Sequence, residues 1–234
     1  AVHHSRPGMT ILLTNAWVLC LDDALVEHNP GWVQIDGTTI TAIGSGTPPA
    51  IPGAEVINCG GDIVMPGMVN SHCHMGMSVF RGLAEDIDDR LYRYILPLER
   101  AFVSPEPVRI GTALSALELI QGGVTTVADM YYFETEVARV CDGAGLRAIV
   151  GQTLADFDPP DHKDFNQGFA RVEELCDLYR DHPLVTPSIA PHAPYSTGLK
   201  TMERVAQWSA DHPDVPVQMH LAESTLEVQW AQET

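Results

Sequence analysis

Pro66-Gly67-Met68-Val69-Asn70-Ser71-His72-Cys73-His74 is the stretch that decides how this chain folds and what it does. Side chains alternate between the two faces of an extended strand, so residues two apart point the same way. His72 and His74 therefore converge on one point while Cys73 faces away. Imidazole is a ligand that suits Zn, Fe, Ni and Cu. A second signal stands far downstream in Val217-Gln218-Met219-His220-Leu221-Ala222-Glu223, where one more His ends an apolar strand and a carboxylate follows three residues on. Two His on one strand, a third on another and a nearby Glu form a candidate metal-hydrolase site.

Outward from this stretch the chain divides in two. Residues 1–65 read as short strands: Met9–Leu13, Ala16–Cys20, Gly31–Ile35, Thr38–Ile43, Glu55–Cys59 and Asp62–Met65, with Asp36-Gly37 as a hairpin turn. Residues 66–234 alternate strand and helix. Strands are expected at 67–72, 124–129, 146–152, 185–191 and 215–220. Helices are expected near 133–143, 166–181, 198–211 and 224–233, and one from the Ser104-Pro105 cap to Gly122-Gly123. Alternating βα units imply a parallel sheet covered by helices. Polar residues gather at the strand ends, at Asn70–His74, Asp129, Gln152, His192 and His220, as on the active face of a (β/α)8 barrel. Five βα units are present, against the eight units and roughly 250 residues of a full barrel, so an incomplete copy of a longer protein is expected.

Composition narrows the function classes. The chain has 234 residues, 45% of them hydrophobic, which is ordinary for a globular protein. No apolar run approaches the roughly 18 residues needed to span a bilayer, and the first residues lack the order of a secretory signal. His3 and His4 are given no function. With 13 basic and 31 acidic residues the net charge is −18, a field that repels phosphate backbones and argues against nucleic acid as a partner. Cys20, Cys59, Cys73, Cys141 and Cys176 are far apart with no C-x-x-C, as expected of reduced thiols in a cytoplasmic protein.

The motifs carry a family resemblance. Residues 66–74, then Arg81-Gly82-Leu83-Ala84-Glu85-Asp86, Leu96-Pro97-Leu98-Glu99, Gly123–Tyr131, Ala190-Pro191-His192-Ala193-Pro194-Tyr195 and His220-Leu221-Ala222-Glu223, resemble the amidohydrolase superfamily in the family's own order. Within it the chain is similar to the aminohydrolase branch of 5-methylthioadenosine/S-adenosylhomocysteine deaminases and chlorotriazine hydrolases. The resemblance implies a TIM barrel plus a small β-sandwich built from both chain ends. It implies one divalent metal, zinc by default with iron or manganese as alternatives, held here by His72, His74 and His220. A strand-six His and a strand-eight Asp complete the family's ligand set and have no counterpart in these residues. Lys163 and Lys200, the only lysines, sit at no expected strand end, so the lysine-bridged two-metal arrangement of some members is not expected.

The same resemblance assigns roles. Glu223 matches the proton-transfer Glu, Glu99 the residue that binds ribose hydroxyls, and His192 one that reaches the substrate. Gln152 stands where some members carry an arginine for the substrate's distal group, and Arg90–Tyr94 replaces the family's tryptophan. Met75 and Met77 are candidates for an apolar slot. Asp129 reads as a structural acceptor of loop amides, and His28, His162, His182 and His212 as surface residues. The function implied is a metal-dependent hydrolytic deaminase of a purine nucleoside, and the family tendency suggests a homo-oligomer. Two alternatives stay open: guanine, cytosine, a pterin or a chlorotriazine as substrate, and a non-catalytic metal-binding half-barrel.

Overall fold

The computed structural model describes residues 8–233, so His3 and His4 lie outside the described residues. The described residues fall into two compact units that divide after Gly67. In the first, β1 (Thr10–Leu19) pairs antiparallel with β2 (Glu27–Asp36), and β2 with β3 (Thr39–Ser45). The short strands β4 (Glu55–Asn58) and β5 (Ile63–Val64) pair with β1 in parallel. The sequence separates Met9–Leu13 from Ala16–Cys20, yet one strand spans both. Asn15, a residue type that tolerates left-handed backbone, takes φ 50° between them. The register slips there, from Leu13 opposite Val33 to Ala16 opposite Gly31, and slips back by Val18 opposite His28. The two shifts compensate, so Leu12, Ala16 and Val18 all remain buried. Asp36 locks the hairpin: its carboxylate accepts from Thr10 Oγ1 at 2.5 Å, Gln34 Nε2 at 2.8 Å and Thr41 Oγ1 at 2.5 Å. The described residues of this unit form one five-stranded sheet, a single layer where the resemblance implies a sandwich.

The second unit is built on four parallel strands in consecutive order: β6 (Met68–Cys73), β7 (Val124–Tyr131), β8 (Arg147–Leu154) and β9 (Val185–Pro191). The connections carry α1 (Leu96–Phe102), α2 (Pro105–Gln121), α3 (Glu134–Ala144), α4 (Phe165–Tyr179) and α5 (Leu199–Asp211), and α6 (Thr225–Glu233) follows. Ser104 precedes α2 in extended conformation with proline at the first helical position, and Gly122 ends it. Consecutive order keeps every crossover of one kind, as in a barrel wall. The core sits between sheet and helices, where Val127, Val137, Cys141, Ala148, Val150 and Leu175 are fully buried. Among the described residues no helix is long and apolar enough to cross a membrane.

The fifth expected strand is a correction. Residues 215–220 form no strand; Val217 makes a single parallel bridge to Ile189. Pro216 has no N–H to give a ladder. What remains is Ile189 N–H to Pro216 O at 3.1 Å, Gln218 N–H to Ile189 O at 3.0 Å and His220 N–H to His192 O at 3.0 Å. These bonds still fix His220 beside the end of β9.

Between β6 and α1 the chain makes a tight 3-10 segment, Met75–Phe80, and one wide turn, Leu91–Ile95. The first lies flat on α2 because both contact points are glycine. A Cβ on Gly111 would run into the backbone of Gly76, and a Cβ on Gly76 would meet the Tyr131 ring at 2.7 Å. Since backbone cannot rotate away as a side chain can, Gly111→Ala is expected to lower unfolding free energy by about 1–3 kcal/mol. Denaturant unfolding of the variant against the parent measures this. A change within about 0.5 kcal/mol, the usual range for a surface substitution, would contradict the close approach.

Candidate metal centre and its cavity

His72 and His74 leave the C-terminal end of β6 on one side, as their spacing requires, and His220 comes from the bridge segment beside β9. The three rings form a near-equilateral triangle, with centroids 4.8 Å apart for His72–His74, 5.0 Å for His72–His220 and 5.1 Å for His74–His220. One nitrogen from each lies within 4.8 Å of the others. Backbone carbonyls set two of the tautomers. His74 Nδ1 lies 2.6 Å from Met130 O and His220 Nδ1 lies 3.0 Å from His192 O. A carbonyl only accepts, so each Nδ1 carries the proton and each Nε2 keeps its lone pair. Those two Nε2 atoms face each other at 3.2 Å. Two lone pairs at that distance repel unless a cation lies between them, so the residues present fit a metal ion, with carbonyl groups orienting the ligands from behind. Burial pushes His74 and His220 below the usual histidine range, which keeps them in the neutral form that ligates.

Cys73 points the other way, its thiol reaching Ala128 O at 3.5 Å, and burial raises its pKa. Asp129 is fully buried beneath this segment, and its Oδ1 accepts the N–H of Met75 at 2.5 Å. Beside it, burial and the Asp129 charge push Glu134 well above the carboxylate range. Asp129 Oδ2 and both Glu134 carboxyl oxygens are buried with no hydrogen-bond partner among the described residues.

A cavity of about 520 Å³ opens in front of the histidines and is lined by His74, Met77, Glu99, Tyr131, Thr153, His192, Tyr195, His220 and Glu223, among others. Met75 is instead packed in the core. Glu99, near the start of α1, is only 4% exposed, and Tyr131 donates its hydroxyl to Oε1 at 2.7 Å. Burial raises its carboxyl to about 7, against the pull of that hydrogen bond. His192 follows β9, and its Nδ1 lies 2.7 Å from Ser196 Oγ, which also lies 3.2 Å from Ala193 O. With the one hydroxyl proton given to Ala193, His192 Nδ1 donates and Nε2 stays an acceptor. Burial, then the neighbouring His220 and His74, hold its pKa at about 4. Glu223 is exposed at the cavity edge, where Tyr195 donates to its Oε2 at 3.2 Å.

Gln152 does not line this cavity. Alternation along β8 turns Thr153 toward it and Gln152 away, and Gln152 Nε2 donates to Asp161 Oδ2 at 2.9 Å and Thr153 O at 3.2 Å. Asp161 is the acceptor for a whole corner: it also takes the Phe133 N–H at 2.8 Å and pairs with His162 Nδ1 at 2.7 Å. His162, expected at the surface, is therefore a correction at 4% exposure, held inside by that carboxylate. His28, His182 and His212 are half-buried instead of exposed; His212 stacks on Trp208 with ring centroids 4.0 Å apart. The motifs contain Tyr131 and Tyr195 but do not disclose their partners, since Tyr131 donates to Glu99, 32 residues away, and Tyr195 to Glu223, 28 away; Asp161, outside every motif, accepts from Phe133, 28 residues away.

Residues 63–234 match the family model described as the amidohydrolase family. A 5-methylthioadenosine/S-adenosylhomocysteine deaminase of Syntrophobacter fumaroxidans is 36% identical over 223 residues, which cover 94% of this chain and 50% of that protein. A 5'-deoxyadenosine deaminase of Methanothrix thermoacetophila is 36% identical over 198 residues, covering 84% of this chain and 45% of that one. Among solved structures, an adenosine deaminase from Xanthomonas campestris with bound zinc superposes with a TM-score of 0.84 at 31% identity, over 98% of this chain and 53% of that one. The chain thus spans about half the length of the curated relatives it matches. On the match of its second unit and the likeness of its whole length, the chain belongs to the amidohydrolase family.

Proposed function

We propose that this chain supplies the metal- and substrate-binding face of a hydrolytic deaminase acting on an adenine nucleoside of the 5-methylthioadenosine, S-adenosylhomocysteine or 5'-deoxyadenosine kind. The observation that carries the reading is three convergent imidazoles, His72, His74 and His220, of which the last two line one cavity with a buried carboxylate, Glu99. In the overall reaction water adds to the ring carbon that bears the amine, the C–N bond breaks, ammonia leaves and a carbonyl remains. A divalent ion on His72, His74 and His220, zinc first with iron or manganese as alternatives, supplies the Lewis acid that makes water nucleophilic at neutral pH.

The side chains do the rest. Glu223 passes a proton to the ring nitrogen next to the carbon under attack. His192 offers the Nε2 lone pair to a substrate N–H. Glu99 accepts two hydroxyl hydrogens, as a ribose diol provides, and Met77 lines the apolar part of the slot. Strands β6–β9 serve as the opening strands of a (β/α)8 barrel, and the first unit's sheet as one layer of a small sandwich. The remaining His and Asp of the family's ligand set belong, on this reading, to the half of the relatives that these residues do not match.

Two outcomes test the reading in the zinc-loaded full-length protein. With S-adenosylhomocysteine, 5-methylthioadenosine or 5'-deoxyadenosine, ultraviolet spectra should show adenine converting to hypoxanthine with release of ammonia, and Glu223→Gln should lower kcat by about 100-fold or more, the usual worth of a positioned proton carrier. A variant that kept full rate would remove Glu223 from the proton path.

Glu99 is tested separately. Hydrogen bonds to a charged group contribute about 1.5–3 kcal/mol, so Glu99→Ala should cut nucleoside kcat/KM by about 10–100-fold and leave turnover of the free base within about threefold. Because its carboxyl titrates near 7, the ionised acceptor forms as pH rises, and nucleoside KM should fall between pH 6 and 8 on the scale of about one pKa transition. Equal losses on nucleoside and base, or a KM flat with pH, would assign Glu99 to structure and move the substrate to a free heterocycle.

A further inference from the structure

Glu223 stands on an exposed turn, yet the direction of its side chain is built into the fold. The segment before it runs beside β9 and must then bend sharply into α6. The bend falls on Ala222, which takes φ 57°, a left-handed backbone that residues with a Cβ enter only when held there. Ser224-Thr225-Leu226-Glu227 has the S-x-x-E form of a helix-capping box, and Ser224 Oγ accepts the Glu227 N–H at 3.2 Å. In such a box the glutamate returns to the N–H of the cap residue itself. Here it reaches further back: Glu227 Oε1 accepts the Ala222 N–H at 3.0 Å and Oε2 the Glu223 N–H at 2.9 Å. Residues 221–225 are exposed, but Glu227 is only 4% exposed, so a carboxylate is buried at the surface with both oxygens spent on two consecutive amides at the bend.

We infer that Glu227 is a positioning residue that holds the Ala222 bend, so that the Glu223 carboxylate stays against Tyr195 beside His220. The inference rests on the assignment of Glu223 as proton carrier. A plain helix cap would stabilise α6 without caring where Glu223 points, and the two roles separate by experiment.

Glu227→Gln keeps the shape but turns one acceptor into a donor, so one of the two amides loses its partner. In the zinc-loaded protein, hydrogen exchange at Ala222 and Glu223 should quicken about tenfold or more, while amides of α5 stay unchanged. Deaminase kcat should fall about 10–100-fold, with KM and zinc content within about twofold, as expected when a proton carrier is misplaced by about 1 Å. Glycine enters the left-handed region freely, so adding Ala222→Gly should restore part of that kcat. Glu227→Asp, which draws the carboxylate back by one methylene, gives the same readings in a milder variant. Unchanged exchange at Ala222 and Glu223 would overturn the inference, and so would faster exchange with kcat intact, which leaves Glu227 a helix cap alone. The exchange arm needs no substrate, so it decides the bend even where no amine is released and the substrate reading has failed.

Discussion

Three imidazole rings have to be held with their lone pairs toward one point against their own repulsion, and the rest of the second unit is arranged around that requirement. The fold meets it with backbone carbonyls. Met130 O, at the end of β7, turns His74, and His192 O, just past β9, turns His220. His74 and His220 are thus oriented by backbone outside their own segments, and the parallel sheet brings those segments into register, with Cys73 opposite Asp129 and β7 through β9 running in step. Behind them Asp129 fastens the Met75 amide, and the glycine contact between Gly76 and Gly111 lets the next segment lie flat on α2. The geometry of the histidines is therefore a property of the whole sheet.

Electrostatics divide the molecule in the same way. The chain carries a net charge of −18, yet the groups around the cavity are tuned by burial and not by that charge. Burial keeps His74, His220 and His192 neutral at neutral pH and raises Glu99 toward 7. Neutral imidazoles are free to ligate or accept, and a carboxyl titrating near neutrality can gain or lose its proton at little cost. Perturbed groups gathered in one cleft are the mark of a working site. Asp161, buried away from the cavity, is tied down by several donors at once and serves the architecture.

Much of this was legible in the amino-acid sequence because it is local. The two-residue spacing of His72 and His74 states which way they point once they lie on a strand, and Ser104-Pro105 with Gly122-Gly123 marks both ends of α2. What was not legible depends on partners far apart in the chain. Gln152 carries no sign in its own neighbourhood that Asp161 will draw its amide away from the cavity, nor does His162 that the same carboxylate will bury it. Pro216 did carry a sign, since a proline weakens any strand it enters, but the apolar pattern of residues 215–220 outweighed it. Ser224 and Glu227 have the spacing of a capping box, but the motif alone does not tell which amides the glutamate will reach.

Whether His72, His74 and His220 hold one ion through their ring nitrogens is decided by titrating Zn²⁺ into the metal-free protein and recording the X-ray absorption fine structure of the loaded form. The expected result is one ion per chain, imidazole nitrogens at about 2.0–2.1 Å with no sulfur ligand, and loss of that ion when any one of the three histidines is replaced by alanine. A sulfur in the coordination shell, two ions per chain, or full binding by His220→Ala would contradict it.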